Sequence, residues 1–166
     1  PGDLPARVAA REPAAIARAI TLAENQPEGA ADVLRTLRGA GDRNPAPVVG
    51  FTGTGGAGKS SLLDELVLRY RRDFPDTSIA VISVDPSRRR SGGALLGDRI
   101  RMNAVGGEAC YMRSLATRQA NLAMSPHVGD AVAIVKAAGH DLVFLETSGI
   151  GQSDTEIVDA SDIAVY

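Results

Sequence analysis

From residue 48 onward, short apolar runs alternate with longer stretches whose apolar positions recur at helical spacing. Val48-Val49-Gly50-Phe51 is brief and branched and gives way to glycines, which predicts a buried strand, and Leu62-Leu63-Asp64-Glu65-Leu66-Val67-Leu68 opens a helix over 59–72. Further strands are predicted at 78–85, weakly at Tyr111-Met112-Arg113, at 141–146 and from Ile163, with a short helix around 95–104 and a longer one over 127–138 closed by Gly139. Regular alternation of this kind predicts an α/β fold with a mainly parallel sheet and helices on both faces, a three-layer arrangement. Residues 1–44 differ. Pro13 suits a first helical position and Ile16, Ala19, Ile20 and Ala23 share one face; Pro27 restarts a second helix with Val33, Leu34 and Leu37 inward, expected to end near Gly39 or Gly41. The front is therefore read as a helical hairpin or linker (1–44), placed before a nucleotide-binding domain (45–166).

The chemistry enters between the first strand and its helix. Gly53-Thr54-Gly55-Gly56-Ala57-Gly58-Lys59-Ser60 fits GxxxxGK(S/T), with Ser61 following. Bare glycine backbone lets successive N–H groups curl around a phosphate chain, and the start of the following helix adds unpaired N–H groups and a positive dipole end. Lys59 would reach the terminal phosphates as a point charge, and the Ser60 hydroxyl would take one position on Mg²⁺. The pattern arises by chance in roughly one chain of this length in a hundred. Its placement between strand and helix is what separates it from an ordinary glycine-rich loop, and it makes the fold class that of a P-loop NTPase.

In an open parallel sheet, ligands sit beyond the carboxyl ends of the strands. Asp85 closes the second predicted strand, Glu146 closes the one at 141–146, and Asp98 follows the arginine-rich loop Arg88-Arg89-Arg90. Each is a candidate to hold Mg²⁺ or its waters, against the commoner fate of an acid as helix cap or solvated loop residue. Glu146 stands apart, because it follows Leu142-Val143-Phe144-Leu145, where burying an unpartnered charge is expensive. Beyond it, the Gly149 N–H is placed to sense a γ-phosphate. Gln152 either orients an attacking water or is an exposed loop amide.

Composition narrows the field. With 166 residues, 44% hydrophobic and 23% charged at a net charge of -2, the chain is one ordinary globular domain without a bulk pull toward nucleic acid or anionic membrane. No apolar stretch has the length of a membrane span and no leader pattern opens the chain, so a cytoplasmic setting is expected. Aromatics at 4% leave no stacking platform for single strands, and two histidines with one cysteine do not build a zinc site. Cys110 reads as a small apolar filler rather than a nucleophile.

With these segments assembled, the chain resembles the G domains of the MeaB and ArgK type, P-loop GTPases that act as chaperones of adenosylcobalamin-dependent acyl-CoA mutases. The resemblance rests on GTGGAGKSS at 53–61, VDPS at 84–87, GGALLGDRIRM at 92–102 and ETSGIGQSDTEIVD at 146–159. Glu146 to Gly149 carries the family's ExxG in place of the usual aspartate form. The arginine-containing segment and MRSLATRQANLAMS at 112–125 look similar to the G domain of IcmF, the fused isobutyryl-CoA mutase. The resemblance implies GTP and GDP as ligands with Mg²⁺, Lys59, Glu146 and Gln152 as catalytic groups, and Ser60, Asp85, Asp98 and Glu146 about the metal. It also implies a mutase and its cobalamin-binding domain as partner, with adenosylcobalamin on that partner, and a homodimeric parent protein. The Asn-Lys-x-Asp motif that selects guanine in this family is expected beyond the next strand, outside these 166 residues, so the chain reads as a fragment. The ArgK name supports an alternative, a kinase linked to transport of basic amino acids.

Overall fold

In a computed structural model, residues 3–25, 30–85, 109–116, 126–147 and 157–166 are described. They form two compact units, one of residues 1–46 with 126–141 and one of 47–125 with 142–166.

The second unit holds a five-stranded sheet, all parallel, of β1 (Val48–Phe51), β2 (Ile79–Asp85), β3 (Cys110–Ala116), β4 (Leu142–Thr147) and β5 (Ile163–Val165), in the order β3-β2-β4-β1-β5. The chain leaves β1, skips a place to β2, steps outward to β3 and returns to fill the gap with β4. That reversal puts the β1 and β4 carboxyl ends side by side, with Phe51 in register with Glu146. A crevice at such a reversal is where ligands bind in open α/β sheets. β4 is buried at every position, as a central strand covered on both faces must be. β5 is exposed throughout and forms an edge.

One face of this sheet is closed by α4 (Lys59–Asp73), whose Leu63 and Val67, one helical turn apart, are fully buried. They pack with Phe51, Ile79, Val81, Cys110, Met112, Leu142 and Phe144, and the Phe51 and Phe144 rings meet edge to face at 5.6 Å. The predicted helix and strands of this unit stand within a residue or so of their expected limits, except that the weak candidate at 111–113 is a full strand, β3. The short helix expected at 95–104 lies outside the described residues.

The first unit is helical: α1 (Leu4–Ala9), α2 (Pro13–Asn25), α3 (Ala31–Asp42) and α5 (Pro126–Ala137). Ile16, Ala19, Ile20 and Ala23 are buried as the spacing required, as are Leu34 and Leu37, while Val33 is half-buried. The front helices are joined by α1, which the sequence did not announce, and α2 and α3 both pack on α5. Neither Gly39 nor Gly41 ends α3, which runs through both to Asp42. The reason is tertiary: a Cβ on Gly41 would stand 2.2 Å from the Ala133 carbonyl oxygen of α5. Glycine is there for close helix approach. Arg38 grips Asp130 of α5 through two bonds of 2.5 and 2.9 Å. At the α5 C-terminus, Asn44 Nδ2 donates to the carbonyls of Lys136 and His140, and Arg11 donates to those of Ala138 and Gly139. Those bonds answer the carbonyls a helix leaves unpaired at its end, and the Arg11 charge suits the negative pole there.

Candidate functional site

Val48 to Phe51 sits between β4 and β5, so the chain leaving β1 emerges at the middle of the sheet's carboxyl edge. Thr52 and Gly53 are still buried, and the Thr52 N–H donates to the Val165 carbonyl at 2.9 Å. From Thr54 to Gly58 the loop rises into solvent. Gly53, Gly56 and Gly58 have φ of 128°, 78° and 87°, values that residues with a Cβ rarely adopt. A Cβ on Gly56 or Gly58 would meet nothing within 4 Å, so backbone conformation, not crowding, selects glycine at both. Gly58 is the N-cap of α4 in the left-handed region and offers no side chain to cap it. Within the loop the Ala57 N–H turns back to the Thr54 carbonyl at 3.3 Å, and the first helical bond runs from Leu62 N–H to the Gly58 carbonyl. The amides of Gly56, Gly58, Lys59 and Ser60 have no acceptor among the described residues. The result is a row of donors at the positive end of a 15-residue helix.

Lys59 folds back over this loop. Its Nζ donates to the carbonyls of Gly53 at 2.7 Å and Thr54 at 2.8 Å, which closes the loop's mouth and leaves one ammonium N–H for a ligand. The next residue turns the other way. Ser60 Oγ donates to Glu146 Oε1 at 2.5 Å, although Ser60 belongs to the loop helix and Glu146 to the end of β4, 86 positions later. Glu146 is 5% exposed, so the acid the apolar run made conspicuous is buried and partnered.

Ser60 and Glu146 are therefore brought together. Asp85 closes β2, two positions past Ser83, which pairs with Glu146; its side chain lies outside what is described. Asp98, Gly149, Gln152 and Arg88 to Arg90 also lie outside the described residues. Among those described, no cluster of three or more histidines, cysteines or acids is arranged to hold a metal. A hydroxyl beside a carboxylate is instead the hard-oxygen pair that suits Mg²⁺, an ion that takes few protein ligands and keeps its waters. Cys110 is buried, and desolvation pushes its thiol up to about 11, which fits an inert core residue.

Two features escaped the sequence. Phe51, Leu62, Val165 and Tyr166 join residues 52–54 and 57–59 around a depression of about 310 Å³, so one wall beside the loop is apolar. Thr147 Oγ1, next to Glu146, is buried with no hydrogen-bond partner among the described residues. Its adjacency to Glu146 in the sequence was the only available signal.

The glycine cradle, the folded-back lysine and the serine–glutamate pair are accompanied by a match at the level of sequence family. The model for "Methylmalonyl Co-A mutase-associated GTPase MeaB" covers residues 16–166. The chain belongs to the MeaB family. The fused isobutyryl-CoA mutase of Geobacillus kaustophilus is 51% identical over 160 residues, covering 92% of this chain and 14% of that protein. The GTPase ArgK of Escherichia coli is 39% identical over 110 residues, covering 66% of this chain and 33% of that protein. A crystal structure of a LAO/AO transport system kinase superposes with a TM-score of 0.72 at 29% identity, over 97% of this chain and 47% of that one. This MeaB-family chain thus spans a small part of the fused mutase and under half of the other two. Among its described residues no helix is long and apolar enough to cross a membrane.

Proposed function

We propose that this chain is the nucleotide-binding core of a Mg²⁺-dependent GTPase that serves an adenosylcobalamin-dependent acyl-CoA mutase. The observation that carries the reading is the 2.5 Å bond between Ser60 Oγ and Glu146 Oε1, which joins the loop's hydroxyl to a strand-end acid next to loop amides that have no acceptor among the described residues. In this reading the amides of the loop and the α4 N-terminus receive the phosphates, and Lys59 presents its charge to the γ-phosphate while holding the loop shut. Mg²⁺, when bound, would supply charge that neutralises the phosphates. Ser60 and Glu146 would hold it, with Asp85 and Asp98 as further candidate ligands, and Gln152 would orient the attacking water. The output is conformational: the segment after Glu146, ordered by a Gly149 contact to γ-phosphate, gates cofactor loading on the mutase.

The guanine preference and the mutase partner are carried over from family and relatives. Both are tested with the parent protein by competing GTP against ATP for phosphate release, with and without a cobalamin-loaded mutase. Preference for GTP, and a rate that responds to the mutase, are expected; ATP preference or indifference to the mutase overturns the corresponding half.

A kinase reading is favoured only by the likeness to the LAO/AO transport system kinase. Radiolabelled γ-phosphate separates the two. Label recovered only as inorganic phosphate supports the GTPase, and label on a protein or small-molecule acceptor rejects it.

A further inference from the structure

Residues 148–156, which carry Gly149 and Gln152, join the end of β4 to Ile157, and the chain on either side of them is fixed to the element made of β1, the loop and α4. At the near end, Glu146 is bonded to Ser60 of α4. At the far end, residues 157–162 lie against β1. Val49 and Phe51 pack on the α4 side, so position 50 faces the other side of the sheet, and the glycine there makes room. A Cβ on Gly50 would stand 2.5 Å from Ile157 Cγ2 and 3.1 Å from Ser161 Cβ, and closer still to Ser161 Oγ. Neither side chain can step aside. Ile157 is β-branched and 1% exposed, and Ser161 Oγ donates to the Ile157 carbonyl at 2.5 Å. Asp162 completes the seat: its Oδ2 accepts the Val48 N–H at 2.7 Å, a charge-assisted bond, and its own N–H donates to the Val48 carbonyl at 2.8 Å.

We infer that Gly50 is a positioning residue for hydrolysis: by seating Ile157 and Ser161 on β1 it fixes the far end of the stretch that carries Gln152, and so sets the rate of the chemical step without taking part in nucleotide binding. This rests on the nucleotide-site reading above and deepens it. A methyl at position 50 must push residues 157–161 off the strand, and restoring an ordinary carbon–carbon contact moves Ile157 by about 1 Å. Because Asp162 holds the chain to Val48, the displacement is a pivot, least at Asp162 and greatest at Ile157, where residues 148–156 join. Misplacement on this scale is enough to spoil the aim of a reacting group. Phosphate binding is left standing, since Lys59 Nζ and Ser60 Oγ bond to Gly53, Thr54 and Glu146 and to none of residues 157–162.

The experiment measures GDP affinity by calorimetry and single-turnover GTP hydrolysis in the parent protein, with ADP and ATP in parallel, for wild type, Gly50→Ala, Gly50→Ala with Ser161→Gly, Asp162→Ala and Met112→Ala. Single turnover at saturating nucleotide reads the chemical step apart from binding and product release. Gly50→Ala is expected to slow it about ten- to a hundredfold while the GDP affinity stays within about twofold. Adding Ser161→Gly removes the closest contact and should recover part of the rate. Met112→Ala, which hollows the core on the α4 side of the sheet, should lower the melting temperature and leave the rate alone, as a loss of stability by itself does. An unchanged rate in Gly50→Ala, equal losses of rate and affinity, no recovery with Ser161→Gly, or an equal slowing in Met112→Ala overturns the inference and leaves the nucleotide site standing. If Gly50→Ala does not fold, Asp162→Ala decides, because it frees the same end of the stretch from Val48: a slowed rate with retained affinity supports the inference, and an unchanged rate overturns it. Wild type that neither binds nor hydrolyses either nucleotide overturns the site reading and the inference with it.

Discussion

Lys59 Nζ lies 2.7 Å from the carbonyl oxygen of Gly53, six positions earlier, so the charge at the helix end also ties down the point where the loop leaves β1. Removing it should undo two things at once, the attraction for phosphate and the closure of the loop. Lys59→Ala is expected to weaken nucleotide binding about a hundredfold or more, on the scale of losing one or two hydrogen bonds to a charged group. Lys59→Arg should rescue little, because a planar guanidinium cannot reach two loop carbonyls and a phosphate from a compact point. The melting temperature should move by no more than about two degrees, since the side chain is only half-buried. Calorimetry and a thermal melt on the same samples check both halves. A large drop in melting temperature would make Lys59 a structural strut.

Gly58 offers a separate test of the loop's backbone. At φ 87° with open space around a would-be Cβ, substitution to Ala should cost about 1–2 kcal/mol from strain alone. Asn tolerates this region better than Ala, and Val tolerates it worse. The order of melting temperatures should therefore be Gly, Asn, Ala, Val, and nucleotide affinity should fall in the same order because the amides of Lys59 and Ser60 start from this residue. A flat series would show that the loop relaxes to a conformation any residue can take.

What the sequence made legible was mostly local. The strand, glycines and helix from Val48 to Asp73 announce themselves because each decision, apolar run, positive-φ glycine, amphipathic turn, is taken by neighbouring residues. Glu146 was legible too, since a charge after four apolar residues needs a partner, although nothing local says that the partner is Ser60. The order of strands was not legible. That β4 inserts between β1 and β2 is decided by which crossovers reach, a relation between distant segments. The limits of α3 failed for the same reason: glycine signals a helix end locally, and only the approach of Ala133 explains why Gly41 lies within this one. Val8, fully buried in α1, shows that six residues can be held in a helix by packing when their own pattern is too short to read.

That approach gives a third expectation. In Gly41→Ala the new methyl would lie 2.2, 2.8 and 2.9 Å from the oxygen, carbonyl carbon and Cα of Ala133, all backbone atoms that cannot rotate aside. The helices α3 and α5 must separate, at a cost of about 1–3 kcal/mol. Gly39→Ala, whose Cβ would meet only an arginine tip at 4.0 Å, should instead be neutral or stabilising, as alanine is the better helix former. The denaturant midpoint should fall in Gly41→Ala and hold or rise in Gly39→Ala. Equal shifts would remove close packing as the reason for Gly41.

His140 supplies a pH dependence whose sign can be worked out. It is 2% exposed, and burial, assisted by the Arg11 charge and opposed by Asp141, pushes its pKa down to about 4 from an ordinary 6.5. The folded chain therefore keeps the imidazole neutral where the unfolded chain protonates it. Stability from this residue is fully present above pH 6.5 and is lost as pH falls from there toward 4, because the unfolded state binds the additional proton in that interval. At 1.36 kcal/mol per unit the whole effect is about 3 kcal/mol. Carboxylates titrate near the lower limit, so the effect must be read as a difference. Unfolding free energy measured from pH 7.5 to 4.5 should fall more steeply in wild type than in His140→Gln, which cannot titrate. Arg11→Met should raise the imidazole midpoint, as followed by its proton resonances, and shrink the difference. An imidazole that titrates near 6.5 in the folded protein would mean that water reaches it and that the α5 C-terminus is open there.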